Sequence, residues 1–161
     1  DFGLPTIIGL SRTVGHLKAR GVHNQVTLIV SGGFSSPGQC LKALALGANA
    51  IYLGSMALFA ASHTQSLKAV PWEPPTDLVV HGGKTSNKYN WRLGGEYLGN
   101  YLTSSTEEIK EGVRALGKHA LHQVDSSDLV ALDEITSEIT GVPLAYSLRE
   151  KVRTAARAGG K

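Results

Sequence analysis

The chain has 161 residues, a net charge of +3 with histidine neutral, and 18% charged against 42% hydrophobic residues. This balance excludes a disordered or fibrous protein. No apolar run approaches the roughly 20 residues that span a bilayer, and no signal peptide is recognised, so we expect no membrane partner. The single cysteine, Cys40, excludes an internal disulfide framework and is typical of the reducing cytoplasm, where we expect the protein.

Basic residues are scattered over the first part of the chain. The first 63 residues carry four basic residues and one acidic residue, Asp1. Nucleic acid binding requires a clustered basic surface, often with aromatic residues for stacking. We therefore expect no nucleic acid partner.

Alternating helices and strands are predicted for residues 1–65. Thr6 is a candidate cap for a helix with apolar residues at every third or fourth position, and Gly21 is its expected end. A β-branched run at residues 26–30 indicates a buried strand. Ser36 is a candidate N-cap for the next helix, and a second short strand is predicted at residues 50–53 before a helix at 56–61. Strands separated by helices imply βαβ units and a parallel sheet.

The later residues have a different composition. Residues 66–92 are rich in proline and glycine and are predicted to be a linker or arm, with a strand or extended segment at 76–81. Residues 93–161 are predicted to be a helical carboxy-terminal extension that frays after residue 146. Within it we expect one helix at 93–102 and a second opened by the capping box of Ser105 and Glu108. Asp125 and Asp128 are predicted to open a short helix that reaches Leu132.

Two glycine-containing turns follow the two predicted strands. Gly32 and Gly33 come after the first strand, and Gly54 and Ser55 follow the second. Each turn leads into a helix, whose first amides favour an anion, and glycine lets the main chain approach it closely. In a (β/α)8 barrel, the loops after strands seven and eight form a phosphate site in this way. Tight turns use glycine without any ligand as well, so the spacing alone leaves both interpretations open.

The segment from Ser31 to Gly54 has a recognisable order of motifs. Its Gly-Gly pair is followed by a helix ending Lys-Ala-Leu-Ala-Leu-Gly-Ala and by a strand ending in glycine. This segment resembles the closing part of FMN-binding barrels. Together with the Asp-Phe-Gly-Leu-Pro-Thr of residues 1–6, it is similar to the FMN-binding domain of the glutamate synthase family, in particular its short stand-alone members. The resemblance continues in parts of residues 65–132.

The resemblance implies a fold and a cofactor site. Residues 1–65 would be the closing βα units of a (β/α)8 TIM barrel, in an α/β fold with a mainly helical extension. The backbone of Gly32, Gly33 and Phe34 would meet one side of the FMN phosphate. Gly54 and Ser55 would meet it from the other strand.

The chain departs from the family pattern in two places. Phe34 and the two serines after it stand where many relatives have arginine or lysine and threonine, so neutral hydroxyls of Ser35, Ser36 or Ser55 would replace a charged contact. Residues 60–65 contain none of the three cysteines that bind an iron–sulfur cluster in glutamate synthases proper. No such cluster is expected in this chain.

The resemblance also implies a role for the chain in a larger enzyme. A whole barrel takes about 250 residues, and this sequence opens at Asp1 with a core-like pattern, so we expect it to be part of a longer protein. The parent would form glutamate from 2-oxoglutarate and ammonia with FMN. Its other strands would hold the flavin ring and the 2-oxoglutarate, so no catalytic residue is assigned here, and the isolated chain is expected to be inactive. Open strand edges predict pairing with the remaining barrel half or self-association.

Two other interpretations fit the residues. Another phosphate-binding barrel, of the nucleotide dehydrogenase or hydroxy-acid oxidase type, would use the same turns, and a non-catalytic scaffold fragment would use the glycines only as turn residues. The cluster from His81 to Lys84 is similar to one in hydroxy-acid oxidases, but it follows the last predicted strand and is interpreted as a turn. Lys42 and His63 are expected to be structural or solvated.

Overall fold

The computed structural model describes residues 3–65 and 76–146. Asp1, the remainder of the predicted linker at 66–75 and the predicted fraying segment from residue 147 lie outside the described residues. Within them the chain forms two short strands and six α-helices: α1 (Thr6–Ala19), β1 (Ile29–Ser31), α2 (Pro37–Ala45), β2 (Ala50–Tyr52), α3 (Ser55–Ser62), α4 (Thr76–Val79), α5 (Trp91–Ala115) and α6 (Glu134–Thr140). The fold is therefore α/β and mostly helical, with a small sheet.

The two strands form a parallel pair joined by α2. Ile29 pairs with Ala50 and Ser31 with Tyr52. Just before the ladder, the side-chain oxygen of Asn49 accepts a hydrogen bond from the Leu28 amide at 2.7 Å, and the Asn49 amide donates to the Leu28 carbonyl at 2.8 Å. This exchange sets the register at the start of both strands. The βαβ unit expected from the sequence is confirmed, although the first strand is shorter and begins later than residues 26–30. The prediction that this strand is buried is wrong in part, because only Val30 of β1 is buried.

Helix α1 begins and ends at the positions indicated by the sequence, but Thr6 does not cap it. Thr6 is the first helical residue, Pro5 occupies the N-cap position, and no side chain caps the first turn. The Thr6 hydroxyl donates instead to the carbonyl of Gly32 at 2.9 Å. The predicted end is confirmed: Gly21 has a φ of +68°, a left-handed conformation that glycine adopts without a Cβ clash.

The main core lies between the sheet and the helices beside it. It contains Leu10 and Val14 from α1, Val30 from β1, and Phe34 and Cys40 around the start of α2. Burial raises the pKa of the Cys40 thiol, because the thiolate would lose its hydration. Cys40 is buried and packs as a small apolar side chain.

Helix α5 is one continuous helix of 25 residues, where the sequence predicted two. Ser105 lies inside it and caps nothing; the N-cap is Asn90, whose side chain accepts from the Leu93 amide at 3.2 Å. Helices α2 and α3 both pack against α5. Buried Gly94 permits the α3 crossing: an added Cβ would lie 2.8 Å from the Ala61 carbonyl oxygen and closer still to the Tyr89 hydroxyl.

Residues 76–79 form a helical turn, so the strand or extended arm predicted at 76–81 is wrong. The carbonyl of Asp77 accepts from both the amide and the hydroxyl of Thr85, each at 3.0 Å. Leu78 is buried. These contacts stabilise a folded-back turn rather than an extended chain. The division of the chain at residues 65 and 92 remains a prediction.

The segment after α5 begins as predicted and then diverges. Asp125 caps a short 3-10 turn by accepting from the Ser127 amide at 2.7 Å. That turn ends at Asp128 and does not reach Leu132, which is 81% exposed. Ala131 instead forms an isolated parallel bridge with Leu144. Helix α6 lies between the two bridge residues and packs against α1.

No helix in the described ranges is both long enough and apolar enough to cross a membrane.

Candidate functional site

The carboxyl ends of β1 and β2 lie side by side. Ser31 and Tyr52 are paired residues at the end of the ladder, so the turn that starts at Gly32 and the turn that contains Gly54 leave the same edge of the sheet. We call these turns the first corner (residues 32–36) and the second corner (residues 53–55). Their juxtaposition is what a shared ligand site requires.

The first corner is shaped by two glycines in left-handed conformations. Gly32 has a φ of +122° and Gly33 a φ of +74°. Both are exposed, whereas the Phe34 side chain turns inward and is only 8% exposed. Phe34 can therefore offer a ligand its backbone but not its ring. In the described parts of the chain, the amides of Gly33 and Phe34 donate to no protein acceptor.

The start of α2 is capped by side chains of its own sequence. The Ser36 side chain accepts from the Gln39 amide and completes a capping box with Gln39. The Gln39 side-chain oxygen accepts from the Ser35 amide at 2.8 Å and from the Ser35 hydroxyl at 3.1 Å. The hydroxyls of Ser35 and Ser36, predicted as neutral substitutes for a charged contact, are thus both bonded to Gln39.

The start of α3 is open. Its N-cap is Gly54, and no side chain caps its first turn. The first amides of a helix have no partner within the helix, so those of Ser55, Met56 and Ala57 have no acceptor in the part of the chain that the structure describes. Ser55 is exposed, and its hydroxyl is not engaged within the described residues. The second corner therefore offers unused donors at the positive end of a helix.

The glycines of the two corners differ in whether a positive φ requires glycine at their positions. Gly32 and Gly33 have positive φ values, so the turn itself requires glycine there. Gly54 has a φ of −109°, which other residues adopt, and an added Cβ would meet no atom within 4 Å. No neighbouring atom in the described residues excludes a side chain at position 54. Open space in front of α3 is, however, what a bound anion needs.

The charge around the corners favours an anion. No aspartate or glutamate occurs between residues 2 and 72, a stretch that includes both corners and all three helices around them. No carboxylate from this stretch therefore competes with a bound anion for the amide donors of the corners.

Other residues singled out in the sequence have structural roles. His63 stacks on Phe59 with ring centroids 4.9 Å apart. The cluster at 81–84 is confirmed as a turn, in which the Gly83 amide donates to the Val80 carbonyl at 2.9 Å. Across residues 3–65 and 76–146, no group of three or more His, Cys, Asp or Glu side chains is arranged to hold a metal ion.

Comparison with known proteins identifies the family. The family model for the conserved region in glutamate synthase matches residues 1–119. The chain belongs to the glutamate synthase family. The match includes both corners and α5, and it confirms the resemblance expected from the sequence.

Individual members of the glutamate synthase family align with most of this chain. The glutamate synthase large subunit-like protein of Rhizobium meliloti is 32% identical and covers 90% of this chain and 36% of its own length. The archaeal-type glutamate synthase [NADPH] of Dehalococcoides mccartyi is 28% identical, covering 90% of this chain and 30% of its own length. The archaeal glutamate synthase [NADPH] of Archaeoglobus fulgidus is 26% identical and covers 88% of this chain and 29% of its own length. The chain thus spans about a third of the length of these relatives. No solved structure matches it.

Three residues that shape the site were not assigned to it from the sequence. Gln39 completes a Ser-x-x-Gln capping box, a signature visible in the sequence. Asn49 bonds Leu28 across 21 positions and Thr6 bonds Gly32 across 26. Contacts of that sequence separation have no local signal.

Proposed function

We propose that this chain is the carboxy-terminal part of an FMN-dependent, glutamate synthase-like oxidoreductase. The family assignment supports the proposal of an oxidoreductase, and the greater length of the relatives supports the proposal that this chain is part of a longer protein. The parent reaction would be the formation of glutamate from 2-oxoglutarate and ammonia, for which bound FMN would pass the electrons. The cytoplasm is the compartment we propose for it.

The proposed task of this chain is to bind the FMN phosphate at the two corners. One observation carries this proposal: the uncapped first turn of α3 faces open space at Gly54, beside the unbonded amides of Gly33 and Phe34. Backbone amides from two adjacent corners can surround a dianion without any charged side chain. The hydroxyl of Ser55 adds a neutral donor. These donors suit a phosphate group. We propose that this part of the enzyme holds no iron–sulfur cluster.

The edges of the sheet support a partner for the chain. In the described residues each strand pairs on one side only. Ile29 is 43% exposed and Tyr52 is 64% exposed. Unpaired parallel edges pair readily with another chain. We propose that the remaining barrel strands of the parent cover them, with self-association as the outcome for the isolated chain, which we expect to be inactive.

The test compares FMN with riboflavin, which lacks the phosphate. Both ligands are titrated into the 161-residue chain and into the longer protein proposed to contain it, with flavin fluorescence as the readout. We expect FMN to bind at least tenfold more tightly than riboflavin, equivalent to about 1.4 kcal/mol. Equal affinities in both proteins would refute the phosphate site and favour the scaffold interpretation, in which the glycines only form turns.

A substitution at the second corner tests the site itself. Gly54→Val should weaken FMN binding more than tenfold, because its side chain would occupy the open space before α3. Gly99→Val is the matched control, since Gly99 is also exposed with no atom within 4 Å of an added Cβ. Gly32→Val is less informative, because the φ of Gly32 makes any side chain strained there. Unchanged FMN affinity in Gly54→Val would remove the second corner from the site.

A further inference from the structure

The Thr6 hydroxyl joins the start of α1 to the first corner. Its oxygen lies 2.9 Å from the carbonyl oxygen of Gly32, to which it donates. Thr6 is the first residue of α1, where its side chain caps no amide of its own helix. The contact spans 26 positions of sequence and connects α1 to the first corner.

The approach of Thr6 is close enough that a side chain at position 32 would displace the Thr6 hydroxyl. An added Cβ on Gly32 would lie 2.8 Å from the Thr6 hydroxyl oxygen. An added Cβ on Gly33 would meet no atom within 4 Å. The Thr6 side chain therefore lies against Gly32, whereas no atom of the described residues lies against Gly33.

The geometry of the peptide bond carries the effect of Thr6 to the next amide. The peptide between Gly32 and Gly33 is planar and trans, so its carbonyl and its N–H point in opposite directions. A hydrogen bond that fixes the Gly32 carbonyl toward Thr6 also fixes the Gly33 N–H away from α1. That N–H has no acceptor in the described part of the chain. A glycine pair with two free φ values would otherwise rotate easily.

We infer that Thr6 is a positioning residue for the phosphate site: its hydroxyl holds the Gly32–Gly33 peptide so that the Gly33 amide faces the anion. This inference rests on the proposed function. Thr6 itself contacts no ligand. It acts by keeping a donor in place, so its loss affects a phosphate-bearing ligand selectively.

The test uses variants that separate the hydroxyl from the shape of the side chain. Thr6→Val removes the donor and keeps the volume, and Thr6→Ser keeps the donor. Thr13→Val is the control, since the Thr13 hydroxyl bonds only within the same helix, to the Gly9 carbonyl at 2.8 Å. FMN and riboflavin affinities are measured for each, in the longer protein and in the 161-residue chain. The chemical shift of the Gly33 amide is followed by NMR without ligand.

We expect Thr6→Val to weaken FMN binding at least fivefold, to leave riboflavin binding unchanged, and to change the NMR chemical shift of the Gly33 amide. The FMN affinity of Thr6→Ser should stay within twofold of that of the natural protein, and the FMN affinity of Thr13→Val should equal that of the natural protein. Equal losses for both flavins, or an unmoved Gly33 amide in Thr6→Val, would overturn the positioning role alone. A natural protein without any preference for FMN over riboflavin would overturn the proposed function and this inference with it.

Discussion

Lys118 and Asp128 form an ion pair that joins the end of α5 to the turn at residues 125–128. Their side chains are 20% and 12% exposed, respectively. The Lys118 ammonium also donates to the Gln123 carbonyl, and the Asp128 carboxylate accepts from the Asp125 amide at 2.9 Å. The two surface pairs of α5 are far more exposed. This pair therefore fixes the chain direction after α5, while the surface pairs contribute little.

The Lys118–Asp128 pair should make the stability of the fold depend on pH in the acidic range. The hydrogen bond from Lys118, followed by that from the Asp125 amide, lowers the pKa of Asp128 below its ordinary value of 3.8. A carboxyl with a lowered pKa in the folded state stabilises the fold above its unfolded pKa and loses that effect as pH falls through the folded value. We expect the urea concentration at the midpoint of unfolding to decrease as the pH is lowered below about 4.

Asp128→Asn is the variant that isolates this effect. It should lower the midpoint at pH 7 and flatten its decline below pH 4. Some decline should remain, because hydrogen bonds to Ser127 and to Thr136 lower the pKa values of Asp125 and Asp133. An identical acid profile in Asp128→Asn would show that the pair has no part in the pH dependence.

The crossing of α3 and α5 should be sensitive to one methyl group at Gly94. In Gly94→Ala the new Cβ would lie 2.8 Å from the backbone oxygen of Ala61, which cannot move without shifting α3. Forced overpacking of this kind costs about 1–3 kcal/mol, and we expect a loss of unfolding free energy in that range by chemical denaturation.

Gly95→Ala is the matched control for Gly94→Ala. Gly95 is the next residue of the same helix, is exposed, and has no atom within 4 Å of an added Cβ. Alanine is favoured over glycine in a helix by about 1 kcal/mol, so Gly95→Ala should stabilise the protein. A stabilised Gly94→Ala would contradict the close crossing described here.

The register of the sheet should depend on the side chain of Asn49. Asn49→Ala removes the acceptor of the Leu28 amide, and a lost hydrogen bond of this kind costs about 1 kcal/mol. Asn49→Asp keeps an acceptor oxygen at the same place and should restore most of the stability. Thermal denaturation measures both variants. If Asn49→Ala and Asn49→Asp melt together, the contact does not stabilise the start of the sheet.

Local signals predicted the first half of the fold well. Gly21 ends α1 with a positive φ value, and Ser36 caps α2, because this conformation and this cap depend on residues within one turn. The parallel pairing of β1 with β2 also followed from strands separated by a helix. This predicted pairing is enough to place the two corners at the same end of the sheet, and it requires no information on long-range contacts.

Predictions failed where tertiary contacts override a local signature. Ser105 and Glu108 match a capping box, but Ser105 is held in helical conformation by a long helix that packs on α2 and α3. Residues 76–79 have β-forming character, yet the bonds from Thr85 to Asp77 hold them in a turn. Local sequence predicts that the Thr6 hydroxyl caps its own helix, because a partner 26 positions away has no local signal.

The contacts of Gln39 have a consequence for the kinetics of binding. Because this side chain holds the Ser35 amide and hydroxyl, the first corner is built by the protein's own bonds before a ligand arrives. A preorganised loop loses little conformational entropy when it is occupied, and association is not slowed by rearrangement. At the proposed phosphate site, the residence time of a ligand would then be determined by the strength of its contacts.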